Sequence, residues 1–281
     1  MPKSRKFKNA LLKFFMYLST GITFSILLLI IGYILFKGLP GLNIKMLTTQ
    51  TSYIDKNIGI LPNILNTLYI IFVSMLFAVP LGIGAAVYLT EYAKCKPLVK
   101  AISFAIETLM GIPSIIYGLV GMLFFTSIMG LKQGILAGGL TLTVMIIPTI
   151  VTTTKESLAA VPNSLREGSL ALGSGKWHMI KTVVLPNAKN GIITGCVLAV
   201  GRITGESAAL LFTAGFGLKL VGFIKALQSS SATLTVALYI YSSEQGEFDI
   251  AFTIALILVA ITFIINTFCY ALGNKIGKKN K

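Results

Sequence analysis

Residues 155–189 read KESLAAVPNSLREGSLALGSGKWHMIKTVVLPNAK, a charged and structured stretch between two long uncharged runs. Pro162 ends whatever helix precedes it, because its ring removes an N–H and clashes with the turn before. Asn163 or Ser164 then offers an N-cap, and Glu167 falls at or near the third helical position, as in a capping box. A short helix is expected through Leu165, Leu170 and Leu172, stopped by Gly173 as its C-cap. A second short element is expected from Lys176 to Leu185, ending at Pro186. The segment 156–189 is therefore a helix, a glycine break and a second helix, which is too much order for a simple connector.

Outward from it lie stretches long enough to cross a bilayer, for which about 20 apolar residues suffice. Uncharged runs give spans at about 14–36, 64–90, 103–127, 133–155 and 250–273. A sixth, 190–213, is equally apolar but contains Arg202 and Glu206. Of the 281 residues, 55% are hydrophobic and only 12% charged. Soluble domains carry about 25% charged residues, so an ordinary soluble enzyme is excluded and a polytopic all-α membrane protein is indicated. The first span follows a basic stretch, as a signal peptide would. It is too long and lacks a small-residue cleavage site, so it reads as a retained anchor.

The 24 Lys and Arg against 9 acids would suggest nucleic acid in a soluble protein. Here their positions report topology instead. With six spans, seventeen of the 24 fall in the tails 1–13 and 276–281 with their flanks, near 94–100, and in 155–189, while six fall in the opposite loops. The positive-inside rule puts both termini and the 155–189 loop in the cytoplasm. The segment 38–60 is expected as an external loop. In 219–248, the uncharged stretch 226–243 fits a re-entrant or interfacial helix better than a full span.

No nucleotide site is present. Gly173-Ser174-Gly175-Lys176-Trp177 lacks both the earlier glycine and the Ser or Thr after the lysine that a phosphate loop needs. Cys95, Cys196 and Cys269 fit neither a disulfide framework nor a metal spacing. No metal site, cofactor or nucleophile–base set is expected in this chain, so if it does thermodynamic work the energy comes from a partner or an ion gradient.

Arg202 and Glu206 lie in Gly201-Arg202-Ile203-Thr204-Gly205-Glu206-Ser207. A charge at mid-bilayer costs about 2.5–3.5 kcal/mol on insertion scales, so both must pair, face water or work. In a continuous helix they are four apart on one face, while Gly201 and Gly205 permit close packing. One reading is a structural ion pair. The other is a pathway for an oxyanion, with Arg202 as the binding fork, Glu206 holding it, and Thr204 and Ser207 alongside. Gly111-Ile112-Pro113 in the third span is a candidate break or hinge, or an ordinary membrane proline.

Two motifs carry a family resemblance. Glu167-Gly168-Ser169, three residues, Gly173, nine residues, Val183-Val184-Leu185-Pro186 resembles the EAA loop of ABC importer permeases, with Gly168 and Ser169 in place of two alanines. Gly201–Leu211, GRITGESAALL, is similar to a segment of phosphate-importer permeases. Further similar stretches are Tyr88-Leu89-Thr90-Glu91-Tyr92, Gly111-Ile112-Pro113-Ser114-Ile115 and Ser242-Ser243-Glu244-Gln245-Gly246. The resemblance covers most of 80–250. It is to the PstA-type permeases, with the PstC type sharing much of the pattern.

It implies the six-helix type I importer fold with a cytoplasmic coupling helix, in a bacterial or archaeal cytoplasmic membrane. It implies a PstC-like sister permease, a PstB-like ATPase dimer carrying ATP and magnesium, and a PstS-like phosphate-binding protein outside. It further implies that Arg166, Glu167, Gly168, Ser169, Gly173, Leu185 and Pro186 couple the chain to the ATPase. A permease for molybdate or sulfate is the alternative within the class. An ion-coupled carrier is the alternative outside it, although no inverted repeat is found.

Overall fold

The computed structural model describes residues 3–52 and 57–278. Among these, five helices are long and apolar enough to cross a membrane, and a sixth span is reached if a bent pair counts as one. The helices are α1 (Lys3–Gly38), α3 (Leu61–Val87), the pair α4 (Lys96–Met110) and α5 (Ser114–Gly121), α6 (Ile135–Ala159), α9 (Leu185–Thr204) and α13 (Phe248–Lys278). The basic residues from Lys3 to Lys13 belong to α1 rather than to a separate tail. Lys56, Lys279 and Lys281, used in the charge argument, lie outside the described residues.

α6 is the central helix, packed on α3 along one side and α9 along another. Its first turns are Ala137, Gly138, Gly139 and Thr141. A Cβ on Gly139 would lie 2.6 Å from Val73 Cγ1, so α3 and α6 are held closer than any side chain allows. Between apolar helices in lipid, this close van der Waals fit replaces the hydrophobic drive available in water. Ser74 Oγ donates to Gly139 O at 3.1 Å, and Thr143 Oγ1 donates to Ser74 O at 3.3 Å, across the same seam. By contrast, α1 packs mainly along α13, and its side chains from Lys8 onward are almost all exposed.

The expected third span is broken. α4 and α5 meet at 100° across Gly111–Pro113, and the second limb continues through a π-helical stretch, Met122–Ile128. The expected fifth span stops early, at Thr204; residues 205–207 interrupt it, and α10 (Ala208–Thr213) follows as a separate piece. The segment 219–248 holds α11 (Phe223–Ala226) and α12 (Leu234–Tyr239), the latter extended by a π turn to Glu244. α12 is far too short to span, yet Leu234–Ala237 are buried, as a re-entrant element requires.

The loop 38–60 is more ordered than its composition suggests. It contains α2 (Ile44–Thr48) and an antiparallel hairpin, β1 (Gln50–Ser52) with β2 (Asn57–Ile60), in which Gln50 faces Ile60. Met46 and Ile60 bury themselves with Leu234, Ala237 and Ile254. The hairpin thus lids the end of the bundle where α12 enters.

Candidate functional site

The structure presents two loci. The first is the elbow after α6. α7 (Asn163–Ala171) starts directly behind Pro162, and no side chain caps it, so the expected capping box does not form. Asn163 Oδ1 instead accepts from Arg166 at 3.2 Å, which leaves Glu167 exposed. The C-terminal expectation is met in detail. Gly173 adopts φ +81°, its N–H donates to Leu170 O at 2.9 Å, and Ser174 N–H donates to Ser169 O at 3.3 Å. Those two bonds form a Schellman motif, which needs a residue free to enter the left-handed region.

Beyond the glycine, α8 (Lys176–Met179) runs through a π turn (Ile180–Val184) into α9 without a stop. Pro186 was expected to end this element. It sits instead in the first turn of α9, behind a widened turn in which Leu185 N–H reaches back to Ile180 O. At that position a missing N–H removes little.

The elbow exposes Leu165, Leu170, Leu172 and Trp177; Leu172 is 91% exposed. Gly168 is exposed with open space where a Cβ would stand, while Ser169 is half-buried and hydrogen-bonded to Ser174 at 2.7 Å. Leu185 and Pro186 are half-buried at the start of α9. Leu172 was placed in the expected helix but not among the coupling residues, although a leucine directly before a helix-ending glycine is a signal for an exposed apolar knob.

Arg166 departs from the expectation of a charge turned toward a partner. Its guanidinium faces inward. Nε and Nη2 donate to Glu91 Oε1 at 3.1 and 2.9 Å, Nη2 donates to Leu158 O at 2.7 Å, and Nη1 donates to Val161 O. Side-chain exposure is 14% for Arg166 and 6% for Glu91, the one ion pair among the described residues.

The second locus is the pair of breaks. Arg202 lies half-buried in the last turn of α9. Gly205 N–H donates to Gly201 O at 3.2 Å and Glu206 N–H to Ile203 O at 3.2 Å, after which the helix ends. Glu206 is 9% exposed. Its Oε1 accepts from Ala209 N–H at 3.1 Å, and its carbonyl accepts from Thr235 Oγ1 at 2.7 Å.

The intrahelical ion pair, one of the two readings of Arg202 and Glu206, therefore does not form. Each charge is held by a helix end: the cation in the last turn of α9, the carboxylate at the first N–H groups of α10. Both placements suit the helix dipole. Among the described residues no carboxylate lies within ion-pair distance of Arg202. Thr204 is buried and bonds back to Gly201 O at 2.9 Å, and Ser207 is half-buried at the break.

The Gly111–Pro113 break lies against this second one. Tyr117 hydroxyl donates to Leu109 O at 2.7 Å and so ties α5 back to α4 across the bend. A Cβ on Gly118 would stand 2.7 Å from Ala209 Cα, so α5 and α10 touch backbone to backbone. Two interrupted spans and the buried α12 thus meet around the Glu206–Ala209 segment, directly after the turn that carries Arg202.

Comparison with known proteins agrees with this architecture. Residues 78–278 match the family described as "Binding-protein-dependent transport system inner membrane component". The chain is 36% identical over 289 residues to the "Probable ABC transporter permease protein YqgI" of Bacillus subtilis (strain 168), covering 98% of each. It is 36% identical over 210 residues to the "Phosphate transport system permease protein PstA" of Pasteurella multocida (strain Pm70), covering 75% of each. Among solved structures it is similar in fold to a chain of the bacterial alginate ABC transporter in complex with its alginate pentasaccharide-bound periplasmic protein, with TM-score 0.68, 18% identity and 98% of each chain covered. It is also similar to a chain of the MetNI methionine ABC transporter, with TM-score 0.62, 21% identity, and 79% of this chain and 96% of that one covered. Matched over more than half its length and sharing the type I importer fold, the chain belongs to the family of binding-protein-dependent transport system inner membrane components and is a multi-pass transport permease.

Proposed function

We propose that this chain is one of two membrane subunits of an ATP-driven inorganic phosphate importer. A PstC-like sister permease completes the pathway, a PstB-like ATPase dimer binds ATP and magnesium, and a PstS-like protein delivers phosphate from outside. The basic bias of the elbow and tails supports a cytoplasmic position for both termini. The ATPase then meets α7, where Leu165, Leu170 and Leu172 offer an exposed apolar face beside Glu167. Seating is helped by the bare surface at Gly168.

The observation that carries the substrate reading is the separation of the two charges at the span-five break. A guanidinium neutralised by a carboxylate four residues away would attract an anion weakly. Here Glu206 is occupied with Ala209 N–H, so Arg202 is left without a carboxylate partner among the described residues. A planar fork with several N–H donors suits the tetrahedral oxygens of phosphate. Sulfate and molybdate share that shape, so Arg202 selects the oxyanion class and further contacts select phosphate. Glu206, Thr204 and Ser207 shape the break around it, and Gly111 with Pro113 gives the bend about which the pathway rearranges.

The test is uptake of radiolabelled phosphate at low concentration, in cells with and without the chain, against excess sulfate, molybdate or arsenate. Loss of uptake without the chain, with competition by arsenate alone, is expected. Uptake that is unchanged without the chain refutes the phosphate assignment. Chain-dependent uptake that excess sulfate or molybdate also suppresses transfers the assignment to those oxyanions.

A further inference from the structure

The expectation for Arg166 was a charge offered to a partner, yet the side chain is spent inside the molecule. Its bonds gather three segments of the chain. Leu158 O belongs to the last turn of α6, where it also accepts from Val161 N–H at 3.2 Å. Val161 O belongs to the link before α7. Glu91 belongs to the π turn Tyr88–Tyr92 that ends α3, which is continuous with that span from Leu61. Arg166 therefore closes the C-terminal end of one span and grips the end of another, 75 residues away in sequence.

The same π turn is held from the other limb of the elbow. Lys176, just past the Gly173 break, lies with Nζ 4.9 Å from the centroid of the Tyr92 ring. One residue of the turn is thus gripped by α7 and its neighbour by α8. Among the described residues, the Arg166–Glu91 pair is the only hydrogen-bonded link between α7 and α3 or its π turn.

Glu91 is nearly fully buried, and its carboxylate Oε1 takes two N–H groups of one fork. Both bonds converge on one oxygen, and a charge-assisted pair shielded from water resists separation more than a single exposed contact would.

We propose that Arg166 and Glu91 are a positioning pair that transmits movement of the elbow to α3, with the π turn Tyr88–Tyr92 as the receiving element. This rests on the importer reading above, in which the elbow is where the ATPase acts. It assigns to α3 a share of the coupling that α6 and α9 receive through the chain itself. Neither residue touches the transported ion or the nucleotide.

The experiment uses the complete complex of both permeases and the ATPase in proteoliposomes. The readout is ATP hydrolysed per phosphate imported, for the parent, Glu91→Gln and Arg166→Gln. Glu91→Gln keeps the shape and one acceptor oxygen but removes the charge, so it remains a usable probe if Arg166→Gln does not assemble. In assembled complexes the ratio is expected to rise at least about fivefold, the low end of the coupling found between linked sites. Import and hydrolysis falling together at a constant ratio, or both unchanged, overturns the proposal, because a merely structural pair would alter only the amount of complex.

A second measurement needs no substrate. Spin labels on Cys95 and on Ser164→Cys, with Cys196 and Cys269 replaced by Ser, report the separation of α7 from the end of α3. The parent is expected to hold one narrow distance with and without ATP, and Glu91→Gln to broaden it. Identical distributions in the two overturn the proposal. If the parent complex imports no phosphate, the substrate reading fails, and the distance measurement still decides the pair.

Discussion

Gly118→Ala adds one methyl group where α5 and α10 meet, and the structure fixes what that group encounters. Its Cβ would stand 2.7 Å from Ala209 Cα and 3.0 Å from Ala209 O, against 3.4–4 Å for ordinary contact. Backbone atoms cannot rotate away as a flexible side chain would, so the two helices must part by about 0.7 Å or α5 must shift along its axis. Overpacking of this kind costs about 1–3 kcal/mol. Against it stands the better helix propensity of Ala over Gly, about 1 kcal/mol. The net expectation is a loss of about 0–2 kcal/mol.

Gly84→Ala in α3 is the matched control. Its Cβ would meet nothing within 4 Å, so only the propensity gain of about 1 kcal/mol remains. The two variants are the same chemical change and should differ by about 1–3 kcal/mol, with Gly84→Ala the more stable. At about 2–4 °C per kcal/mol for chains of this size, that is a gap of about 2–12 °C in Tm. Thermal unfolding of the purified chain in detergent measures it. Because Gly118 follows the Gly111–Pro113 break and Ala209 follows the 205–207 break, displacement there should also slow uptake. A Tm for Gly118→Ala equal to or above that of Gly84→Ala refutes the backbone contact, and with it the claim that the two broken spans lock together beside Arg202.

Further expectations concern the named site residues. Arg202→Ala should leave the assembled complex at parental yield while phosphate uptake falls at least about tenfold, the equivalent of one lost charge-assisted hydrogen bond of roughly 1.4 kcal/mol or more; disassembly would show that Arg202 is structural instead. A Cβ at Gly173 meets no atom within 4 Å, and although φ +81° strains any side chain, Asp tolerates positive φ better than most residues, so Gly173→Asp should still fold while uptake is lost at the elbow. Normal uptake in a well-expressed Gly173→Asp variant would refute docking there. Glu206→Gln keeps an oxygen for Ala209 N–H, whereas Glu206→Ala removes it. The alanine variant should lose about 0.5–2 kcal/mol of stability, as an unmade helix cap does, and the glutamine variant much less. Equal Tm values for the two would mean that the bond to Ala209 contributes nothing.

What the sequence made legible were features that follow from a single residue or a long run. Uncharged stretches marked the spans because a charge in hydrocarbon is costly wherever it falls. Gly173 marked the end of α7 because only a residue free of a Cβ enters φ +81° without strain. Pro113 marked a break because the ring acts locally. What escaped were features that depend on a second element. The hairpin at 50–60 is short and has no alternation to announce it; it exists because Met46 and Ile60 have Leu234 and Ala237 to pack on. Pro186 reads as a stop only if the helix before it is narrow, and the π turn makes it wide.

Arg202 and Glu206 show the same dependence at the site itself. A spacing of four residues means one helix face only while the helix continues, and nothing in the residues alone says that it stops at Thr204. Gly205 is compatible with either outcome. The competing interactions are tertiary: Ala209 N–H for the carboxylate and Thr235 Oγ1 for the Glu206 carbonyl. They convert an apparent ion pair into two separately held charges. Arg166 is the converse case. Its sequence neighbour Glu167 suggested a charged, partner-facing surface, while its true counter-ion, Glu91, sits 75 residues earlier. In both places the sequence supplied the charges, and the ends of helices decided which of them were left free to act.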